Sequence, residues 1–205
     1  MKFLEKFGRC EVIKDSKTDK ISIKINTISD IDTLYALLKK QMPVINQLIK
    51  TYDRLILYNN YVVVYKGNLC GLCDYSIYVI FPIRFREILV SEEFGIAEVR
   101  GYKKGIYSLA KRCFLTHLIF EEADICETGV ITVRENGFWG LLDKSGNVIL
   151  PIVYDNIWVG IKRHVYYIVQ KLDGYAVFYP KDGELKSEFF VNKWLVDEFI
   201  DENFY

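Results

Sequence analysis

Four glycines recur at a nearly constant interval. Gly71, Gly105, Gly140 and Gly174 are 34, 35 and 34 residues apart. Each is preceded by a strand-like run ("YVVVYK", "IAEVRGY", "VITVREN", "YYIVQKL") and followed by another ("GLCDYSIYVI", "GIYSLAKRCFL", "GLLDKSGNVIL", "GYAVFYPKDGEL"). Self-similarity at a fixed period of this size marks a repeat architecture. A unit so short buries too little apolar surface to offset the entropy of ordering its chain, so each copy needs a neighbour on its apolar face. The last two-thirds of the chain is therefore expected to be one small sheet-forming module used four times.

The correspondences extend beyond glycine. Pro82 and Pro151 follow their anchors by 11 residues, Asp74 and Asp143 by 3, and Phe85 and Tyr154 by 14. The second copy has Thr116 in the proline slot, and the fourth carries an insertion around "PKDG". In the third copy "VITVR" reads as a strand, Asn136-Gly137 as a tight turn tolerant of positive φ, and "FWGLLD" as the returning strand. Gly140 inside a strand points to a bulge or to close approach of another backbone. Pro151, with no N–H, has to lie at an edge or a bulge. Asp74 and Asp143 fall where aspartate side chains organise turns. The expected copies span about residues 61–95, 96–129, 130–164 and 165–196.

At these residues "NGFWGLLDKSGNVILPIVYDNI" resembles the WG repeat family, named for its Trp-Gly pair and found in bacterial proteins. Asn136, Gly137, Trp139, Gly140, Asp143, Gly146, Pro151, Tyr154 and Asp155 occupy the matching positions. The similarity is strong over residues 130–157 and degenerate in the other copies, whose Trp slot holds Cys70, Lys104 and Asp173. The resemblance implies a mainly β protein of tandem β-meander repeats in a curved, solenoid-like or propeller-like array. It also implies binding or scaffolding without a common catalytic residue.

Residues 1–60 lack the repeat and read as a cap for the exposed end of the array. "CEVIKD" and "KISIKIN" form a hairpin, and "SDIDTLYALLKKQ" forms a helix N-capped by Ser29 or Asp30. Pro43 starts a second helix whose apolar stripe runs through Val44, Ile45, Leu48, Ile49, Tyr52, Leu55 and Ile56. At the other end, "KWLVDEFIDENFY" reads as a short sealing helix or as a docking peptide, with residues 197–205 an acidic aromatic tail. As a docking peptide it would anchor through Trp194, Phe199, Phe204 and Tyr205, its acids setting orientation.

Lys plus Arg and Asp plus Glu both number 27, which removes the electrostatic footprint of a general nucleic-acid binder. No stretch approaches the length of a membrane span, and the charged "MKFLEKFGR" is unlike a secretion signal. Five cysteines at irregular spacing, Cys10, Cys70, Cys73, Cys113 and Cys126, give no disulfide framework. A cytoplasmic protein is expected.

Cys70 and Cys73 form a C-x-x-C, the shape of a zinc half-site or a redox pair. No second pair completes it, His117 and His164 are distant in sequence, and residues three apart on a strand point to opposite faces. Neither histidine has a neighbouring nucleophile or orienting carboxylate, and no phosphate loop or hydrolase motif occurs. The expected function is a non-catalytic protein–protein interaction module, an adaptor or scaffold, with no cofactor and no metal. A small immunity or defence-accessory protein that regulates one partner is the alternative within that class; a zinc or redox protein built on Cys70 and Cys73 is the alternative outside it.

Overall fold

A computed structural model describes residues 10–15, 17–18, 20–25, 31–126, 128–161 and 164–203. The expected N-cap at Ser29 or Asp30, the segment "MKFLEKFGR" and the aromatic residues Phe204 and Tyr205 lie outside them. Among the described residues the fold is mainly β, with two helices and four antiparallel sheets.

The N-terminal hairpin pairs β1 (Cys10–Lys14) with β2 (Ile21–Ile25), and α1 (Ile31–Leu48) follows. The first sheet continues through β3 (Arg54–Leu57), β4 (Tyr61–Lys66), β5 (Leu69–Asp74) and β6 (Val79–Phe85), in the order β2-β1-β3-β4-β5-β6. The second contains β7 (Glu87–Ser91), β8 (Ile96–Arg100), β9 (Lys104–Ser108) and β10 (Cys113–Phe114). The third contains β11 (Glu122–Ile125), β12 (Ile131–Glu135), β13 (Phe138–Leu142) and β14 (Val148–Tyr154). The fourth contains β15 (Asn156–Ile161), β16 (Val165–Lys171), β17 (Gly174–Tyr179) and β18 (Glu184–Leu185), and α2 (Lys193–Asn203) closes the described chain. The chain divides into two compact units, Met1–Leu118 and Ile119–Tyr205.

Each sheet contains a four-stranded meander, and the backbone repeats itself. Four amides immediately before a first strand donate to a carbonyl near the end of the second: Asp53 to Tyr65, Arg86 to Arg100, Glu121 to Arg134 and Asp155 to Gln170, at 2.8–2.9 Å. Three of these residues are acids whose carboxylates also accept an amide from the turn between the second and third strands: Asp53 from Gly67, Glu121 from Gly137 and Asp155 from Leu172. In the second sheet Arg86 stands there instead, and Glu87 and Glu98 both hold Arg100 at 2.6 Å. The meanders begin at residues 54, 87, 122 and 156, seven to nine residues before the expected starts at 61, 96, 130 and 165. Sequence similarity is densest around the middle turn, which displaces the phase.

The register identifies the true anchor. Val64 faces Gly71, Val99 faces Gly105, Val133 faces Gly140 and Val169 faces Ala176. The fourth anchor is thus Ala176, and Gly174 lies two residues earlier, opposite Lys171. The Trp slot moves with it. Tyr175 bridges Phe190 as Trp139 pairs with Tyr154 and Cys70 with Phe85, so Asp173 is not its occupant. Glycine serves a steric purpose at the first three positions. A Cβ on Gly71 would lie 2.6 Å from the Phe81 carbonyl oxygen, on Gly140 2.8 Å from the Ile152 Cα, and on Gly105 3.0 Å from the His117 carbonyl oxygen.

Two kinds of meander alternate along the chain. In the first and third sheets the fourth strand bulges past the glycine. Cys70 pairs Phe85 but Leu72 pairs Phe81, and Trp139 pairs Tyr154 but Leu141 pairs Leu150. Pro82 and Pro151 sit inside that bulge, where a missing N–H costs no ladder bond. Asp74 accepts amides from Ser76 and Tyr78, and Asp143 from Ser145 and Asn147, closing equivalent turns at 2.7–3.0 Å. Asn136 and Gly137 take φ of 52° and 85°, as a two-residue hairpin turn requires. In the second and fourth sheets the last strand has only two residues, and a hydroxyl extends the ladder: Thr116 Oγ1 accepts Ile106 N–H, and Ser187 Oγ accepts Val177 N–H, both at 3.0 Å.

In the first unit the two sheets share a core that includes Tyr65, Leu72, Phe81, Ile88, Val99 and Tyr107, with the Phe81 and Tyr107 rings edge-to-face at 4.5 Å. The opposite face of the first sheet is covered by α1, whose Leu34, Ile45, Leu48 and the adjoining Ile49 meet Cys10, Val12, Leu55, Leu57 and Val64. One helix runs through Pro43 where two were expected. The apolar stripe does not stay helical to Ile56, because Leu55 and Ile56 belong to β3. In the second unit Leu141, Leu150 and Tyr154 of the third sheet pack on Tyr167, Val169, Ala176 and Phe178 of the fourth.

Candidate interaction surface

The outward face of the last sheet aligns Trp158 with Ile168 and Ile168 with Val177. Asn192 caps helix α2 from the position before it, its Oδ1 accepting the Leu195 amide at 3.2 Å. It buries Val196 and Ile200 against Tyr166, Ile168 and Val177, and Phe199 packs beside Phe190 with ring centroids 5.7 Å apart. The Tyr166 ring occupies the space a side chain at residue 160 would need, so Gly160 permits that packing.

The helix does not cover β15. Trp158, Val159 and Ile161 are 37%, 55% and 64% exposed, and Trp194 in the first turn of α2 is 67% exposed. Lys193 Nζ lies 5.2 Å from the centre of the Trp158 ring, which is 6.3 Å from the ring of Tyr175. The first strands of the second and third sheets behave differently: Ile88, Leu89 and Val90 of β7, and Ala123 and Ile125 of β11, are buried. Among the described residues β15 pairs only with β16, so it presents unpaired backbone groups together with exposed apolar side chains. In the first sheet the corresponding strand, β3, has its outer edge paired with β1. An apolar edge strand is a template for strand addition, and an aromatic group beside it is a common binding anchor.

The expected anchors separate on this surface. Trp194 is exposed in the first turn of α2, whereas Phe199 belongs largely to the helix–sheet core. Trp158, Val159 and Ile161 were not singled out from sequence. Their only signal is the run "NIWVGI", which cannot be told from a buried strand until its cover is known.

Cys70 and Cys73 lie on opposite faces of β5, Cys70 in the core between the first two sheets and Cys73 in the core beneath α1. Burial pushes both thiols up to about 12, so both stay protonated at neutral pH. His117 is exposed after the second meander. His164 stands 5.8 Å from the Tyr179 ring, at a shallow depression of about 440 Å³ that also receives Lys186, Asp182 and Asn203. Lys186 Nζ is already paired with Asp182 at 2.6 Å. Among the described residues no three His, Cys, Asp or Glu side chains are grouped to hold a metal ion. Also among them, no helix is long and apolar enough to cross a membrane.

No known protein family matches this chain, and no curated protein does either. Among solved structures, the extracellular domain of a one-component system from B. thetaiotaomicron aligns over 68% of this chain and 23% of its own, with 16% identity and a TM-score of 0.33.

Proposed function

We propose that this chain is a non-catalytic protein–protein interaction module, an adaptor or scaffold, and that its contact surface is the open edge of β15 together with Trp194. The observation that carries this reading is the contrast among equivalent strands: β7 and β11 bury their apolar side chains, whereas β15 exposes Trp158, Val159 and Ile161. The partner is a protein that supplies an extended segment with apolar side chains at alternate positions, the pattern β1 presents to β3. The same proposal takes the four meanders as copies of one WG-like unit in a curved solenoid-like or propeller-like array. It places the protein in the cytoplasm, supported by five irregularly spaced, unpaired cysteines.

A photo-crosslinking residue at Val159 in the native host tests the surface. The expected result is one dominant crosslinked protein, whose affinity for the purified chain falls at least about tenfold in Trp158→Asp and Ile161→Asp while thermal stability is nearly unchanged. Equal affinity in those variants would refute the assignment.

A further inference from the structure

Strand β2 ends the first sheet with one edge unpaired among the described residues, and all five of its residues are exposed. Its sequence, "ISIKI", is close to a palindrome about Ile23. Ile21, Ile23 and Ile25 are 50%, 45% and 49% exposed, yet they face Lys14, Val12 and Cys10 across the ladder, and Val12 and Cys10 are fully buried beneath α1. The three isoleucines therefore continue that core face and stay about half exposed among the described residues.

The direction of the backbone groups decides what fits there. The Asp15 N–H donates to the Lys20 carbonyl at 2.9 Å. That marks Asp15 and Lys20 as a hydrogen-bonded pair, and in an antiparallel ladder alternate residues share this character. Ser22 and Lys24 consequently direct their N–H and C=O groups towards β1, while those of Ile21, Ile23 and Ile25 point away from the sheet.

We propose that β2 is a homodimerisation strand, pairing antiparallel with β2 of a second copy about a two-fold axis at Ile23. Ile23 then faces Ile23 of the other copy, Ile21 faces Ile25, and Ile25 faces Ile21. Each of these three pairs exchanges two hydrogen bonds, so every outward backbone group finds a partner. The apolar stripe runs unbroken from Val12 of one copy to Val12 of the other. Lys24 meets Ser22, so no like charges oppose each other, as an isologous contact requires. A foreign strand could use the same groups, but the matched spacing about Ile23 is specific to a second copy. The contact area of two short edge strands falls below that of stable dimers, roughly 1,000 Å² in total, so the complex is concentration-dependent.

Sedimentation equilibrium of the full chain tests the pairing alongside an oxidative crosslink. The wild type is expected to show a monomer–dimer equilibrium, and Ile23→Lys, which opposes two ammonium groups at the axis, to weaken it at least about tenfold with an unchanged circular dichroism spectrum. Facing residues of a hydrogen-bonded pair lie about 5.5 Å apart at Cα, within disulfide range. Ile23→Cys should therefore give a covalent dimer linked 23 to 23, mapped by peptide mass spectrometry, whereas Ser22→Cys, whose counterpart faces Lys24, should not link to itself. A wild type that stays monomeric up to its solubility limit, a dimer insensitive to Ile23→Lys, or equal crosslinking of both cysteine variants would each overturn the proposal. The β15 surface is untouched by these variants, so the two assignments stand or fall separately.

Discussion

Gly140→Val is expected to destabilise the protein by about 3 kcal/mol, lowering the melting temperature by about 6 to 12 °C. The new Cβ would lie 2.8 Å from the Cα and 2.9 Å from the N of Ile152, and these are backbone atoms that cannot swing away. Relief requires β14 to move off β13, which breaks the bulge that lets Leu141 and Leu150 pair and opens the core they share with Tyr167 and Phe178. Gly137→Ala separates this steric cost from ordinary glycine strain. That position has open space but a φ of 85°, so its cost is about 1 kcal/mol. Denaturant unfolding of both variants checks the ranking. Equal losses would show that backbone conformation, and not the approach of the fourth strand, explains the glycine.

Ile200→Asp is expected to release α2 from the last sheet. Ile200 is almost fully buried among Tyr166, Ile168, Val177 and Val196, and an unpaired carboxylate there adds a desolvation cost to the lost apolar contacts, about 4 kcal/mol or more together. An 11-residue helix has little stability once undocked, so the response is local: the segment frays while the sheets persist. Fast amide exchange and early proteolysis within residues 193–203 report this. Trp194→Asp, on the exposed side of the same helix, leaves exchange unchanged while altering the proposed contact surface. If Ile200→Asp left exchange in α2 as slow as in the wild type, the helix would not be held by this core.

The β class, the Asn136-Gly137 turn and the prolines at bulges were legible in the sequence because each follows from local chemistry. The fourth anchor was not. Glycine identity drew attention to Gly174, while the structural constraint is room for the following segment. At Ala176 that segment tolerates a methyl group, and the last sheet's fourth strand has shortened to Glu184–Leu185. The alternation of copies was half visible: Pro, Asp and aromatic matches linked only the first and third. The hydroxyls of Thr116 and Ser187, which unite the second and fourth, resemble any polar loop residue in sequence. Pro43 signalled a helix start because its missing N–H usually excludes a helix interior, yet Leu34 and Ile45 both reach the core from one continuous helix. The β15 surface was invisible for a different reason. Its residues read as a buried strand, and only the lack of a cover distinguishes them.

The equivalence of the four meanders is tested most directly by cross-strand nuclear Overhauser contacts in the last sheet, where sequence and register disagree. Backbone contacts between Val169 and Ala176 are expected to match those of Val64 with Gly71, Val99 with Gly105 and Val133 with Gly140, together with a Tyr175–Phe190 bridge. Contacts placing Gly174 opposite Val169 would contradict it.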